Sequence, residues 1–159
     1  MRTITALLAA ACLALLASGC GLSGKTSAGS GTTTSAAATP AQEKAAIRRV
    51  WTGFFSSKTP PQRRATFLQN GVKFEQAIRE QSKSPLARNV SATVKSVTLQ
   101  GPAKAKVVYS IDLAGQPALK NQTGTAVKVN GLWQVGDDSF CKLLGLGGGT
   151  VPAGCKNVG

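Results

Sequence analysis

The chain has 159 residues, a net charge of +13 and no histidine. That length suits one ordinary domain rather than two. The missing imidazole excludes Ser-His-Asp and Cys-His nucleophiles and every histidine metal site, which leaves six carboxylates for any acid–base chemistry.

Residues 4–17, ITALLAAACLALLA, follow Arg2 and are almost wholly apolar. The run is shorter than the ~20 residues that cross a bilayer, and its place at the N-terminus marks residues 1–19 as a signal peptide. Small residues then lead into Cys20 (Leu-Ala-Ser-Gly-Cys). This resembles a bacterial lipoprotein cleavage site, which implies cutting before Cys20 and a diacylglycerol on its thiol. Ala17 is a departure, since such sites usually carry leucine three residues before the cysteine. The same stretch, GCGLSGKT at 19–26, fits GxxxxGK[ST] letter for letter. A phosphate-binding loop needs a buried strand before it and a helix N-terminus after it. Here a signal precedes and SAGSGTTTSAAATP follows, so the match reads as accidental.

Residues 20–41 are nearly all Gly, Ser, Thr and Ala behind Cys20. They carry too little apolar surface to offset ordering entropy, and they read as a flexible tether. The folded part is expected over 42–159, where 17 Lys/Arg face 6 Asp/Glu, a net charge of +11.

Ile47, Val50, Trp51 and Phe54 recur at i, i+3, i+4, i+7 and predict a helix over 43–57. Thr59-Pro-Pro-Gln62 predicts a capped second helix, short and closed by a left-handed Asn70-Gly71. A third is expected from Val72 to Ser82, with Phe74, Ala77, Ile78 and Gln81 on one face, Glu75 and Arg79 paired on the outer side, and a stop at Ser84-Pro85. From residue 90 the period becomes two. Val90, Ala92 and Val94 share one phase and Val97 and Leu99 the other, which predicts a bulge near Lys95-Ser96. Val107, Tyr109, Ile111 and Leu113 mark a second strand and Thr123–Val129 a third. Asn130-Gly131 predicts a type I′ turn into Leu132–Val135. SFCKLLGL and a glycine-rich tail close the chain. Helices first and a meander afterwards argue α+β, with the helices packed on a curved antiparallel sheet of about four strands.

Of four cysteines, Cys12 lies in the signal and Cys20 is the lipid site. Cys141 and Cys155 remain, and in an exported domain they most simply form one disulfide. No metal site and no cofactor are implied. Glu43, Glu75 and Glu80 fall on exposed helical faces by pattern, and Asp137-Asp138 in a turn. Asp112 lies mid-strand, where aspartate is disfavoured. It is either a lone base in a cavity or a surface group beside a lysine, and the surface reading is favoured. Trp51, Phe55, Tyr109 and Trp133 would line a cavity or fill the core, and with eight aromatics in the chain the core is favoured.

The order of WTGFF, TPPQRRATFLQNG, FEQAI, AKVVYSIDLAG and NGLWQV…SFCKLL resembles the C-terminal domain of the mycobacterial low-molecular-weight secreted antigens, whose relatives are widespread in actinobacteria. The resemblance covers about residues 42–159. It implies a cone similar to the cystatin-like or nuclear-transport-factor-2-like fold, and export. It carries no catalytic motif and no established biochemical activity.

These readings together describe a non-enzymatic binding or interaction module, held by its lipid on the outer face of the bacterial cell membrane. Residues 43–88 hold 10 basic and 3 acidic residues, and a basic helical face including Arg48, Arg63 and Arg64 would meet anionic lipid or an anionic envelope polymer. Nucleic acid is not the expected partner outside the cell. The alternatives are a small-molecule or lipid carrier with a cavity in the cone, and a cone-fold enzyme using Asp112.

Overall fold

Thr39 starts the first helix of the computed structural model, which describes residues 37–146, 151–156 and 158. Its hydroxyl accepts from the Gln42 amide, and the Gln42 side chain accepts from the Thr39 amide at 2.8 Å. This is a reciprocal capping box with proline in the first turn. Helix α1 therefore runs Pro40–Phe55, and Thr39-Pro-Ala, expected to end the tether, begins the folded domain instead. The compact unit spans Ala36–Gly159 and contains the whole described core, the sheet and the disulfide. The proposed lipid site Cys20, the GCGLSGKT stretch, the tether as far as residue 36 and residues 147–150 of the glycine-rich segment lie outside the described residues.

Helix α2 is Pro61–Thr66. The capping box expected from Thr59 and Gln62 does not form. Pro61 forces the preceding residue into an extended conformation, so Pro60 takes ψ 148° and occupies the cap position without a side-chain acceptor. Asn70 is left-handed, with φ 54°, but it does not close the second helix as expected, since α2 ends at Thr66 with Phe67 as a right-handed C-cap. It opens a 3-10 turn, Gly71–Phe74, ahead of α3, Glu75–Lys83. The third helix thus becomes α-helical three residues later than expected, while Phe74 and Ile78 point inward and Arg79 meets Glu75 at 3.1 Å. A second 3-10 turn, Pro85–Asn89, follows Ser84.

Strands β1 (Val90–Leu99), β2 (Lys104–Leu113), β3 (Gln116–Val129) and β4 (Leu132–Val135) form one antiparallel sheet in sequence order. The β1–β2 register shifts between Val94 and Ser96, where the apolar phase flips, so Val97 returns to the core side. The third strand starts seven residues before the expected Thr123. It turns out of β2 through Ala114 (φ 51°) and Gly115 (φ 80°), and a left-handed alanine is not a signal that sequence pattern offers. Two further register shifts in the β2–β3 pairing complete the curl of the sheet into a half-barrel. Asn130 and Gly131, at φ 50° and 79°, make the expected hairpin turn.

Helix α1 lies across the inner face, against β1 and β4, and α4, Asp137–Leu146, packs on β3. Asp137 and Asp138 sit in the first turn of α4, where carboxylates suit the helix dipole, and the Asp138 carboxylate accepts from the Ser139 amide at 2.7 Å. Cys141 on α4 is bonded to Cys155, with a Cα–Cα distance of 5.5 Å. The architecture is α+β, helices first and a curled four-stranded sheet after.

The ends of the sheet are interrupted. On β1 the Val90 carbonyl accepts from the Ser57 amide and the Val94 carbonyl from Arg48 (2.8 Å). On β4, Val135 exchanges backbone bonds with Phe67 and Gln69 at 2.8 Å each. The stretch of β3 not paired to β4 contains Pro117, Lys120 and a left-handed Asn121.

Candidate functional site

The aromatics fill the interior. Trp51 is 0% exposed, meets Tyr109 edge-on with centroids 5.2 Å apart, and lies 6.2 Å from Phe55. Phe55 stacks on Tyr109 at 5.6 Å. The fit requires glycine at 124, since a Cβ there would stand 2.8 Å from Trp51 Cζ2. Burial, with a smaller contribution from the charge of Asp138, pushes the Tyr109 hydroxyl well above its usual pKa. The Trp51 indole N–H is enclosed and has no partner among the described residues.

Trp133 is also buried, but it belongs to a different group. Its indole N–H donates to Glu43, and Lys128 donates to the other oxygen of the same carboxylate at 2.6 Å while lying 5.3 Å from the indole centroid. Glu43 is therefore not on an exposed helical face. Its side chain is 16% exposed and ties the first turn of α1 to the β3–β4 hairpin. Those two donors, with the lysine foremost, hold its pKa below the usual carboxylate value. A readable signal existed for this clamp. Lys128 shares strand phase with Ala126 and stands directly opposite Trp133, and a lysine on the inner face calls for a carboxylate. Because the folded-state pKa is depressed, the contribution of Glu43 is full above its unfolded pKa and is lost as pH falls through the folded one. We expect the melting temperature of Glu43→Gln to lie below that of the wild type at neutral pH, with the gap closing in acid. Parallel melting curves across the acid range that keep a constant gap would contradict this.

Asp112 is not with the aromatics. It does not join Trp51, Phe55, Tyr109 and Trp133 around one site among the described residues, because alternation along β2 puts Tyr109 inside and Asp112 on the outer face. There its carboxylate accepts from the Thr93 hydroxyl at 2.9 Å. The same face holds a cleft of about 150 Å³ bounded by Thr93, Lys95, Ser110, Asp112, Lys120 and Asn121, with Pro117 on its rim. The β3 register shifts opposite Tyr109–Asp112 form one wall. Sequence pattern did not bring these residues together, because the joining bulges leave no periodic trace.

The three arginines expected on a basic face differ in use. Arg63 is exposed and stacks over Phe67 at 5.7 Å. Arg48 is exposed along its length but donates to the Val94 carbonyl. Arg64 is half-buried. It donates to the carbonyls of Ser56 and Thr59 at 3.0 and 3.2 Å, bracing the loop before α2, and burial pulls its pKa down. Among the described residues, no cluster of three or more His, Cys, Asp or Glu is arranged to hold a metal, and no helix is long and apolar enough to cross a membrane.

Residues 39–151 match the family model described as low molecular weight antigen MTB12, C-terminal domain. The chain belongs to this family. No curated protein and no solved structure matches it. The MTB12 stretch opens on Thr39, the N-cap of α1, which agrees with the structural boundary rather than the expected one at 42. It takes in the helices, the full sheet, the Glu43 clamp and the outer cleft, and it stops short of Cys155. One end of the disulfide thus lies beyond the stretch that this MTB12 match covers.

Proposed function

We propose that the protein is an exported, lipid-anchored and non-enzymatic binding module on the outer face of the bacterial cell membrane, whose excess positive charge meets anionic lipid or an anionic envelope polymer. The observation carrying this is the imbalance of partners. Three Lys/Arg–carboxylate pairs form, at Glu43, Glu75 and Glu80, so 14 of the 17 basic residues have no carboxylate partner among the described residues. The other three acids are engaged as well, Asp112 with Thr93, Asp137 with Asn70 and Asp138 with Ser139. Lys44, Arg49 and Arg63 are exposed on α1 and α2. The filled aromatic interior supports this reading over the carrier, and the outward Asp112 supports it over the cone-fold enzyme.

Each lysine or arginine near an anionic surface adds about 1 kcal/mol, screened within a Debye length. The unit Ala36–Gly159 is expected to sediment with anionic vesicles at low salt and to leave them at high salt. Reversal of Lys44, Arg49 and Arg63 to Glu removes the binding, whereas reversal of Lys142 and Lys156 has less effect. In cells, Cys20→Ser moves the protein from the membrane fraction to the medium or leaves its signal uncut. A unit that ignores anionic vesicles and envelope polymers alike at low salt would reduce the charge to a solvated surface.

A further inference from the structure

We propose that the outer-face cleft is a binding subsite for a single sugar unit bearing an acidic group. At about 150 Å³ it has room for roughly five waters, well below the ~300–1,000 Å³ of drug-sized sites. That is the scale of one sugar ring, and the lining of lysines, hydroxyls and a carboxylate does not suit an acyl chain. Its lining is chemically mixed. Lys95 and Lys120 supply two ammonium groups without a carboxylate partner among the described residues. Asp112 accepts from Thr93 through Oδ2 and leaves Oδ1 open to a ligand hydroxyl. Ser110 is 5% exposed, yet its hydroxyl takes no partner among the described residues and is not sealed off, since it opens on the cleft. Facing the cleft without such a partner, this hydroxyl is free to bond a group that enters.

The combination selects among ligands. A bare anion would satisfy the lysines but face the Asp112 carboxylate. A neutral sugar would use Asp112 and Ser110 and leave both lysines idle. A sugar carrying a carboxylate or phosphate uses all four, with the ring's C–H face against Pro117. The bulges that build the wall fit such a role, because bulges commonly re-aim side chains beside sites. One of them sets Asn121 left-handed, at φ 52°. The inference does not rest on vesicle binding, which is tested at Lys44, Arg49 and Arg63.

The test is amide chemical-shift mapping by NMR on the unit Ala36–Gly159, which contains the described core and disulfide. Glucuronic acid probes the carboxylate source and glucose 6-phosphate the phosphate source, with glucose and inorganic phosphate alongside. At least one acidic sugar is expected to shift Ser110, Asp112, Lys120 and Asn121 at millimolar concentration, about tenfold more tightly than glucose or phosphate. Lys120→Ala and Ser110→Ala should each weaken it about tenfold, the scale of one good hydrogen bond to a charged or buried group, while Lys142→Ala leaves it unchanged. No shift in the cleft with either acidic sugar, binding of glucose or inorganic phosphate as tight as that of the better acidic sugar, or unchanged binding by both cleft variants would each overturn the proposal.

Discussion

Trp51→Ala should lower the unfolding free energy of the domain by about 3–5 kcal/mol, the usual loss for a buried aromatic reduced to alanine. The indole is fully enclosed, edge-on to Tyr109 and pressed against Gly124. Rigid partners surround it, namely a strand glycine, a second ring and its own helix, so the hole left behind cannot easily collapse. Native domains keep only ~5–15 kcal/mol in total, and the variant would therefore stand near the edge of folding. Urea titration of Ala36–Gly159 measures the change. A loss below about 1 kcal/mol would mean that Trp51 borders open space and is not packed against the sheet, which would revive the carrier reading.

The second large effect belongs to the disulfide. Replacing both Cys141 and Cys155 with serine should remove about 3 kcal/mol, from a bridge that closes a loop of roughly 15 residues. For a domain of this size that is a drop of about 10 °C in melting temperature. The bridge acts through packing on both sides. Cys141 sits on the helix that contributes Phe140 and Leu144 to the core, and the segment of Cys155 lies against Phe74, since a Cβ at Gly154 would be 2.9 Å from that ring. Peptide mapping without reductant should recover the two cysteines in one linked fragment. Free thiols at both positions, or an unchanged melting temperature in the double variant, would refute it.

Much of this fold is legible because it is written in periodicity. The apolar stripe of Ile47, Trp51 and Phe54, the phase flip at Lys95 and the Asn130-Gly131 turn each point to a local geometry that the chain adopts. Boundaries governed by cooperation between two residues were harder. The Thr39–Gln42 box was hidden at the end of a low-complexity run, and the Pro60-Pro61 pair shifted the start of α2 through a steric rule that acts on the residue before proline. The sites were the least legible part. Glu43 looks like an ordinary surface glutamate until the hairpin 85 residues away presents Lys128 and Trp133 to it. The outer cleft exists because β3 slips register twice, and a slip leaves no mark in a list of side chains.

The interrupted sheet ends bear on how such a molecule behaves in a crowd. An exposed strand edge is a template on which another copy can pair, and long flat edges lead to fibres or clumps. Here Arg48 and Ser57 occupy carbonyls along one border, Phe67 and Gln69 occupy the other, and proline, a lysine and a kinked asparagine break the remaining stretch. Like-charged particles with blunted edges repel at a distance and fail to zip together on contact. Concentrated solutions of the domain are accordingly expected to stay clear and dispersed, each copy keeping its outer face, cleft included, available to something other than itself.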